Sequence, residues 1–257
     1  MDFLIGLIIL AIVLSLPIDL YKYEIPDILT NGLILIGLIF HIYFAITKQL
    51  LFTDYLVSMF FGSIIGLGLF FSGNWGGGDA KLLMGIASSG AILKNTIPFI
   101  LEFSINLILA GGIYSILIVL LNTFKNLNEI KTKKYVKELF LMSIFSLILF
   151  YPLGFIFLII LIMYLSYIIQ LNYFDKKIST KDLVEGDWVT EKIYHKNKLI
   201  YSPRKIGVLK KDIELIKKHK QYVKVKGGIA FAPAFFIAII FSLNYPDIIF
   251  RVFLAQI

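Results

Sequence analysis

A chain of 257 residues with 58% hydrophobic side chains, 16% charged side chains and a mean hydropathy of +0.85 is too apolar for a soluble domain of its length. Its net charge of +8 includes no cysteine chemistry, so disulfides, thiolate catalysis, iron–sulfur clusters and a zinc ribbon are excluded. His41, His195 and His219 lie far apart and form no HxxxH or HExxH pattern, which argues against a histidine metal site and a Ser-His-Asp triad; His41 reads as a satisfied residue within a span, and the other two as solvated surface.

The apolar blocks predict an all-α membrane protein, a helical bundle of about eight (six to eight) transmembrane helices with a small basic cytoplasmic segment. The first span, Phe3 to Asp19, has neither a basic lead-in nor a small-x-small cleavage site, so it reads as a span and not as a signal peptide. It runs into LPIDLYKYEIPD, which carries Asp19 and Asp27; Asp27 follows Pro26 at the start of the second span, Pro26 to Ile46, where it is expected to satisfy free backbone N–H groups. After the third span, Phe52 to Phe71, comes NWGGGDAKLL with Gly76, Gly77, Gly78, Asp79 and Lys81, then the fourth span, Ala80 to Leu93. At about 14 residues, or roughly 21 Å of helix against roughly 30 Å of hydrocarbon, its start is expected below the membrane surface.

The fifth span, Ile97 to Leu121, holds Asn106, Gly111 and Gly112, which read as helix-packing residues: glycine permits close approach and the amide bonds across. Leu139 to Tyr151 and Leu153 to Ile169 read as a hairpin turned at Pro152 and Gly154, or else as one helix kinked at Pro152. Leu171 to Gly228 carries 15 Lys or Arg against 7 Asp or Glu, and within it Ile206, Leu209, Ile213 and Ile216 recur at helical spacing opposite Lys210, Lys211, Lys217 and Lys218. That pattern predicts an amphipathic helix in a small cytoplasmic subdomain whose lysines meet anionic headgroups of the lipid bilayer. No nucleic-acid motif or interleaved aromatics accompany the charge, so nucleic acid is not an expected partner. Ile229 to Leu243 is the last span. The expected organisation is a membrane core over 1–121 carrying the aspartates, a basic loop and helical hairpin over 122–170, the basic cytoplasmic segment over 171–228, and the final helix with the C-terminus over 229–257.

Loop charge orients the bundle, because Lys and Arg collect on the cytoplasmic side. An even number of spans puts the lysine-rich loop Asn122 to Glu138, the segment Leu171 to Gly228, Lys22 and Lys81 on one side, leaving Lys48, Lys94 and Arg251 on the other. Asp19 then ends the first span and Asp79 begins the fourth at the same cytoplasmic face, while Asp54 and Glu102 fall toward the outer side.

Charged side chains at membrane depth are costly and usually carry a task. Paired carboxylates suit amide hydrolysis: one ionised group activates water and one protonated group donates to the substrate, a division that arises because close like charges do not both ionise. The glycines before Asp79 allow another backbone to approach it, as holding an extended peptide requires. The bland readings are a helix cap for Asp79, neutralised locally by Lys81, and an interfacial residue for Asp19. The glycine run is no nucleotide loop, lacking the Lys-Ser or Lys-Thr that follows one.

These residues resemble the prepilin peptidases, membrane aspartyl proteases of the GxGD type that process type IV pilins and archaeal preflagellins. The resemblance rests on Asp19 followed by a short basic stretch and Ile25-Pro26, and on GxGDxK at Gly76, Gly77, Gly78, Asp79, Ala80 and Lys81. LVEGDWV at 183–189, the helix around 210–218 and GGIAFAPAFFIA at 227–238 are similar to the cytoplasmic segment and final span of archaeal members. The tetracysteine zinc module of many bacterial relatives is absent. The resemblance implies Asp19 and Asp79 as the catalytic pair, Gly76 to Gly78 as a substrate-facing loop, Lys81 in support, no metal and no cofactor. It also implies, as partner, a pilin-like or preflagellin precursor whose short basic leader is cut off at the cytoplasmic membrane face. The alternatives are a presenilin-like or signal-peptide-peptidase-like protease cutting within a span, and a proton-coupled transporter; a transporter needs a carboxylate relay to the other side, which the sequence does not offer.

Overall fold

A computed structural model describes residues 2–93, 98–125, 175–196, 198–204 and 207–245. The predicted hairpin spans at 139–151 and 153–169 and the part of the preceding loop from 126 to 138 lie outside these residues, as does Ile206. The chain divides into two compact units, one of residues 1–110 with 175–257 and one of 111–174. The first carries the features described below.

Its membrane part is built from α1 (Asp2–Lys22), α2 (Asp27–Ile46), α3 (Phe52–Phe71), α4 (Gly77–Gly90) and the start of α5 (Phe99–Lys125). Among the described residues four helices are long and apolar enough to cross a bilayer: Phe3–Lys22, Asp27–Ile46, Phe52–Phe71 and Phe99–Ile118. The protein is therefore a multi-pass membrane protein. Of the eight expected spans, four are reproduced among the described residues; α4 with 14 residues and the last helix with 13 are shorter than a full span, and the two expected at 139–151 and 153–169 lie outside the described residues.

α4 is the centre of the packing, lying against α2 and α3. Leu82, Leu83, Ile86 and Ala87 are wholly buried, and three hydroxyl groups tie its C-terminal half to its neighbours. Ser88 Oγ donates to the Ile34 carbonyl at 2.8 Å and Ser89 Oγ to that of Leu33 at 3.0 Å, both on α2, while Ser58 Oγ of α3 donates to the Ala87 carbonyl at 2.7 Å. In hydrocarbon such bonds have no water to compete with them, though their net worth stays near about 0.6 kcal/mol each.

The segment 175–226 is not all-helical. It contains β1 (Asp175–Ser179), β2 (Ile193–His195), β3 (Lys198–Tyr201), α6 (Lys210–His219) and β4 (Tyr222–Lys226). β1 pairs antiparallel with β4, and β2 with β3. The all-α expectation is corrected here: Tyr222-Val-Lys-Val-Lys alternates with period two, and Val223 and Val225 turn inward while Tyr222 and Lys224 stay exposed. α6 starts at Lys210, with Leu209 as its N-cap. Its apolar side, Ile213 and Ile216, packs with Leu183, Val189, Val208 and the β4 valines, so the amphipathic helix covers this subdomain's own core. Arg204 pairs with the buried Asp212 at 3.0 Å, closing the start of that helix.

α7 (Ala232–Asn244) completes this unit. It begins three residues after the predicted start of the span, because Pro233 has no N–H to satisfy and fits the first helical turn. Asn106 Nδ2 of α5 donates to Ser242 Oγ of α7 at 2.8 Å, the interhelical bond expected of that amide.

Candidate active site

Asp19 stands in the last turn of α1 and is 4% exposed. Two residues earlier Pro17 removes one bond of the helix ladder, and four residues later Tyr23 ends the helix with φ +59°, its N–H bonded to the Asp19 carbonyl at 2.8 Å. The side chain is held from far along the chain. Its Oδ2 accepts the Ala232 N–H at 2.8 Å, and the Phe231 N–H is directed at the same carboxylate. The first free N–H groups of α7 thus meet an anion-forming side chain, the arrangement that both the unsatisfied donors and the helix dipole favour.

Asp79 occupies the third position of α4 and is partly buried. α3 ends in a turn at Gly73, φ +78°, and the chain passes through Trp75 into Gly76, the extended N-cap of α4. Asp79 Oδ2 accepts the Gly76 N–H at 3.1 Å. Asp79 is therefore a helix cap, as the bland reading had it. It also lies within electrostatic reach of Asp19. Among the described residues its second oxygen has no hydrogen-bond partner.

The glycines divide by role. A side chain at Gly78 would collide with Ile25 of the α1–α2 turn, 3.0 Å from its Cβ and 3.2 Å from its backbone nitrogen; at Gly77 it would meet only Phe70, at 3.8 Å. The close approach expected of this loop is made, at Gly78, by the chain's own α1–α2 turn.

Lys81 does not neutralise Asp79. Its Nζ bonds Asp27 Oδ1 at 2.6 Å, an exposed pair that joins the start of α4 to the start of α2. Asp27 correspondingly makes no side-chain cap on α2, contrary to expectation: the lysine amine takes its carboxylate instead. His41 is buried, with Nδ1 bonded to the Gly37 carbonyl at 2.8 Å but Nε2 without a hydrogen-bond partner, so it is satisfied at one nitrogen only. His195 and His219, 24 residues apart, are exposed as expected, and their rings come within 4.4 Å of each other. No group of three or more His, Cys, Asp or Glu residues suited to a metal ion occurs among the described residues.

Three residues of this neighbourhood escaped the sequence reading. Trp75 is 8% exposed, and its ring lies 5.5 Å from Phe231 and 5.7 Å from Phe235 of α7, between the glycine run and the helix that holds Asp19. The one available signal was the Ala-Pro-Ala at 232–234, which marks a helix start and hence a set of free N–H donors. The basic segment also reaches the end of α1. Lys176 Nζ stands 4.7 Å over the Tyr23 ring, and Asp187 faces Glu24. Burial pushes the Asp187 carboxyl above the ordinary carboxylate range, the Val184 N–H bond opposes that shift, and the Glu24 charge adds to it.

The arrangement holds two carboxyl groups from different helices, each through an oxygen bonded to a backbone amide. Two such groups are what water activation and proton donation at an amide require. In comparison with known proteins, residues 4–120, a little under half of the chain, match the Type IV leader peptidase family. No curated protein and no solved structure matched the chain. Over residues 4–120 the chain is similar to the Type IV leader peptidase family.

Proposed function

We propose that this protein removes the short basic leader from a type IV pilin-like or archaeal preflagellin precursor, with Asp19 and Asp79 as the catalytic pair. The observation that supports this reading is geometric: the Gly76 N–H holds Asp79 of α4, the Ala232 N–H holds Asp19 of α1, and the residues preceding those amides, Trp75 and Phe231, pack ring to ring at 5.5 Å. In the reaction one carboxylate takes a proton from water as its oxygen attacks the scissile carbonyl carbon. The other, protonated, donates to the carbonyl oxygen and then to the leaving amine as the C–N bond breaks. Gly76 and Gly77 present the backbone beside which the substrate lies, Gly78 gives room to Ile25, and Lys81 supports this stretch by fixing the start of α4 through Asp27. The site lies at the cytoplasmic face, in keeping with the lysines of Leu171 to Gly228. A basic leader stays on that side while its apolar helix enters the bilayer, which brings the intervening bond to the depth of the two aspartates. The lysines of the basic segment meet anionic headgroups there.

The test is cleavage of a synthetic precursor, a Lys/Arg leader ahead of an apolar helix, by detergent-solubilised enzyme. Asp19→Asn and Asp79→Asn are each expected to abolish cleavage while keeping the wild-type melting temperature. Asp27→Asn, which loses only an exposed ion pair worth about 0.2–1 kcal/mol, retains activity. Near wild-type processing by either of the first two variants rejects the assignment.

A further inference from the structure

Two backbone amides hold the two carboxylates: the Gly76 N–H bonds Asp79, and the Ala232 N–H bonds Asp19. The residue immediately before the first amide is Trp75, and the residue immediately before the second is Phe231. Their rings pack against each other at 5.5 Å. We propose that Trp75 is a positioning residue that, through Phe231, sets the spacing of the two amides and with it the spacing of the catalytic pair; this rests on Asp19 and Asp79 being that pair.

The surroundings give the contact its leverage. Trp75 follows the Gly73 turn and precedes three glycines, so the loop itself has little side-chain packing to hold it. The indole is buried against Phe231 and also against Phe235, which is fully buried and reaches Phe103 of α5 at 6.2 Å. That aromatic row anchors the α7 end of the contact. α4, on the other side, is tied to α2 and α3 by Ser58, Ser88 and Ser89. Asp79 therefore rides on α4, while Asp19, carried by α1, is held at its carboxylate by the start of α7, and the Trp75–Phe231 contact joins the two holding segments beside the reacting groups. A ring-sized displacement there moves one amide relative to the other, and misplacement by about 1 Å is worth about 100-fold in rate.

The experiment measures kcat, KM and the pH dependence of kcat on the same synthetic precursor, for full-length enzyme in detergent. Trp75→Leu and Phe231→Leu are each expected to lower kcat by about 10- to 100-fold with KM within about threefold. Both are also expected to displace the acid limb of the kcat–pH profile, which a smaller folded fraction alone does not do. Trp75→Phe, which keeps a ring at the contact, restores kcat and the profile. The double variant Trp75→Leu/Phe231→Leu loses no more than the worse single one, because both remove the same contact. If Trp75→Leu proves unstable, Phe231→Leu, at the partly exposed side of the contact, carries the same expectation. Wild-type kcat and pH profile in a folded Trp75→Leu or Phe231→Leu enzyme overturn the proposal, as do fully additive losses in the double variant. Asp19→Asn and Asp79→Asn in the same assay separate the two levels. Inactive aspartate variants beside fully active leucine variants reject the positioning role alone, and active aspartate variants reject the catalytic pair beneath it.

Discussion

Gly78 sits where the α1–α2 turn crosses the start of α4, and Ile25 fills the place of its missing side chain. The atoms in the way include the Ile25 backbone nitrogen and oxygen, at 3.2 and 3.3 Å from a built Cβ, and backbone cannot swing aside as a side chain can. Gly78→Ala is therefore expected to cost about 1–3 kcal/mol, read as a lower melting temperature in detergent. Gly77→Ala is the contrast: its new methyl group makes ordinary contact with Phe70, and alanine favours helix over glycine by about 0.5–1 kcal/mol, so its melting temperature holds or rises. Two glycines side by side in one motif thus do different work. The motif alone does not distinguish them, because the difference lies in Ile25, more than 50 residues away in the chain.

At the scale of elements, α4 is short and carries Asp79 at one end and its interhelical hydroxyl bonds at the other. Gly37 of α2 lets the α4 backbone pass close by: a Cβ there would fall 2.7 Å from the Ser88 carbonyl carbon and 2.8 Å from the Ser89 nitrogen. Ser88→Ala removes the bond to the Ile34 carbonyl and a long one, at 3.5 Å, to the Tyr55 hydroxyl, and is expected to cost about 0.6 kcal/mol. Gly37→Ala forces α2 and α4 apart and is expected to cost about 1–3 kcal/mol or more. Thermal unfolding of the two variants in one detergent ranks them, and the reverse order would show that hydrogen bonding, not close approach, sets the α2–α4 distance. α6 teaches the converse about pattern. Its lysine-against-isoleucine alternation is visible in the sequence, yet periodicity gives a direction only relative to the helix axis, and the apolar side faces Val208, Val223 and Val225 of its own subdomain.

For the whole molecule the open variable is sidedness, and the cysteine-free sequence makes it simple to measure. Gln49→Cys, in the exposed turn after α2, and Lys218→Cys, on the exposed side of α6, each introduce one thiol. With the basic segment cytoplasmic, a membrane-impermeant maleimide labels Gln49→Cys on intact cells and Lys218→Cys only after permeabilisation. The opposite pattern inverts the bundle and moves the candidate site to the outer face. The same bundle gives Asp27 a partner from another helix. Lys81 lies close enough to engage it at 2.6 Å, so its carboxylate is spent on an exposed ion pair.

What the sequence determined by itself was local in origin. Hydropathy placed the chain in a membrane, and α1, α2, α3 and α5 emerged as spans because apolar length is written residue by residue. Asp19, the glycine run and Asp79 stood out because charge is rare in such company and three glycines stand in a row. The tertiary structure decided what holds each of them: an amide 213 positions along the chain for Asp19, and a tryptophan–phenylalanine contact between two otherwise separate helix starts. It also decided that β4 pairs with β1, a match that Tyr222-Val-Lys-Val-Lys suggests by its alternation but cannot choose. Such contacts depend on which surfaces meet once the helices pack, and no window along the chain contains both partners.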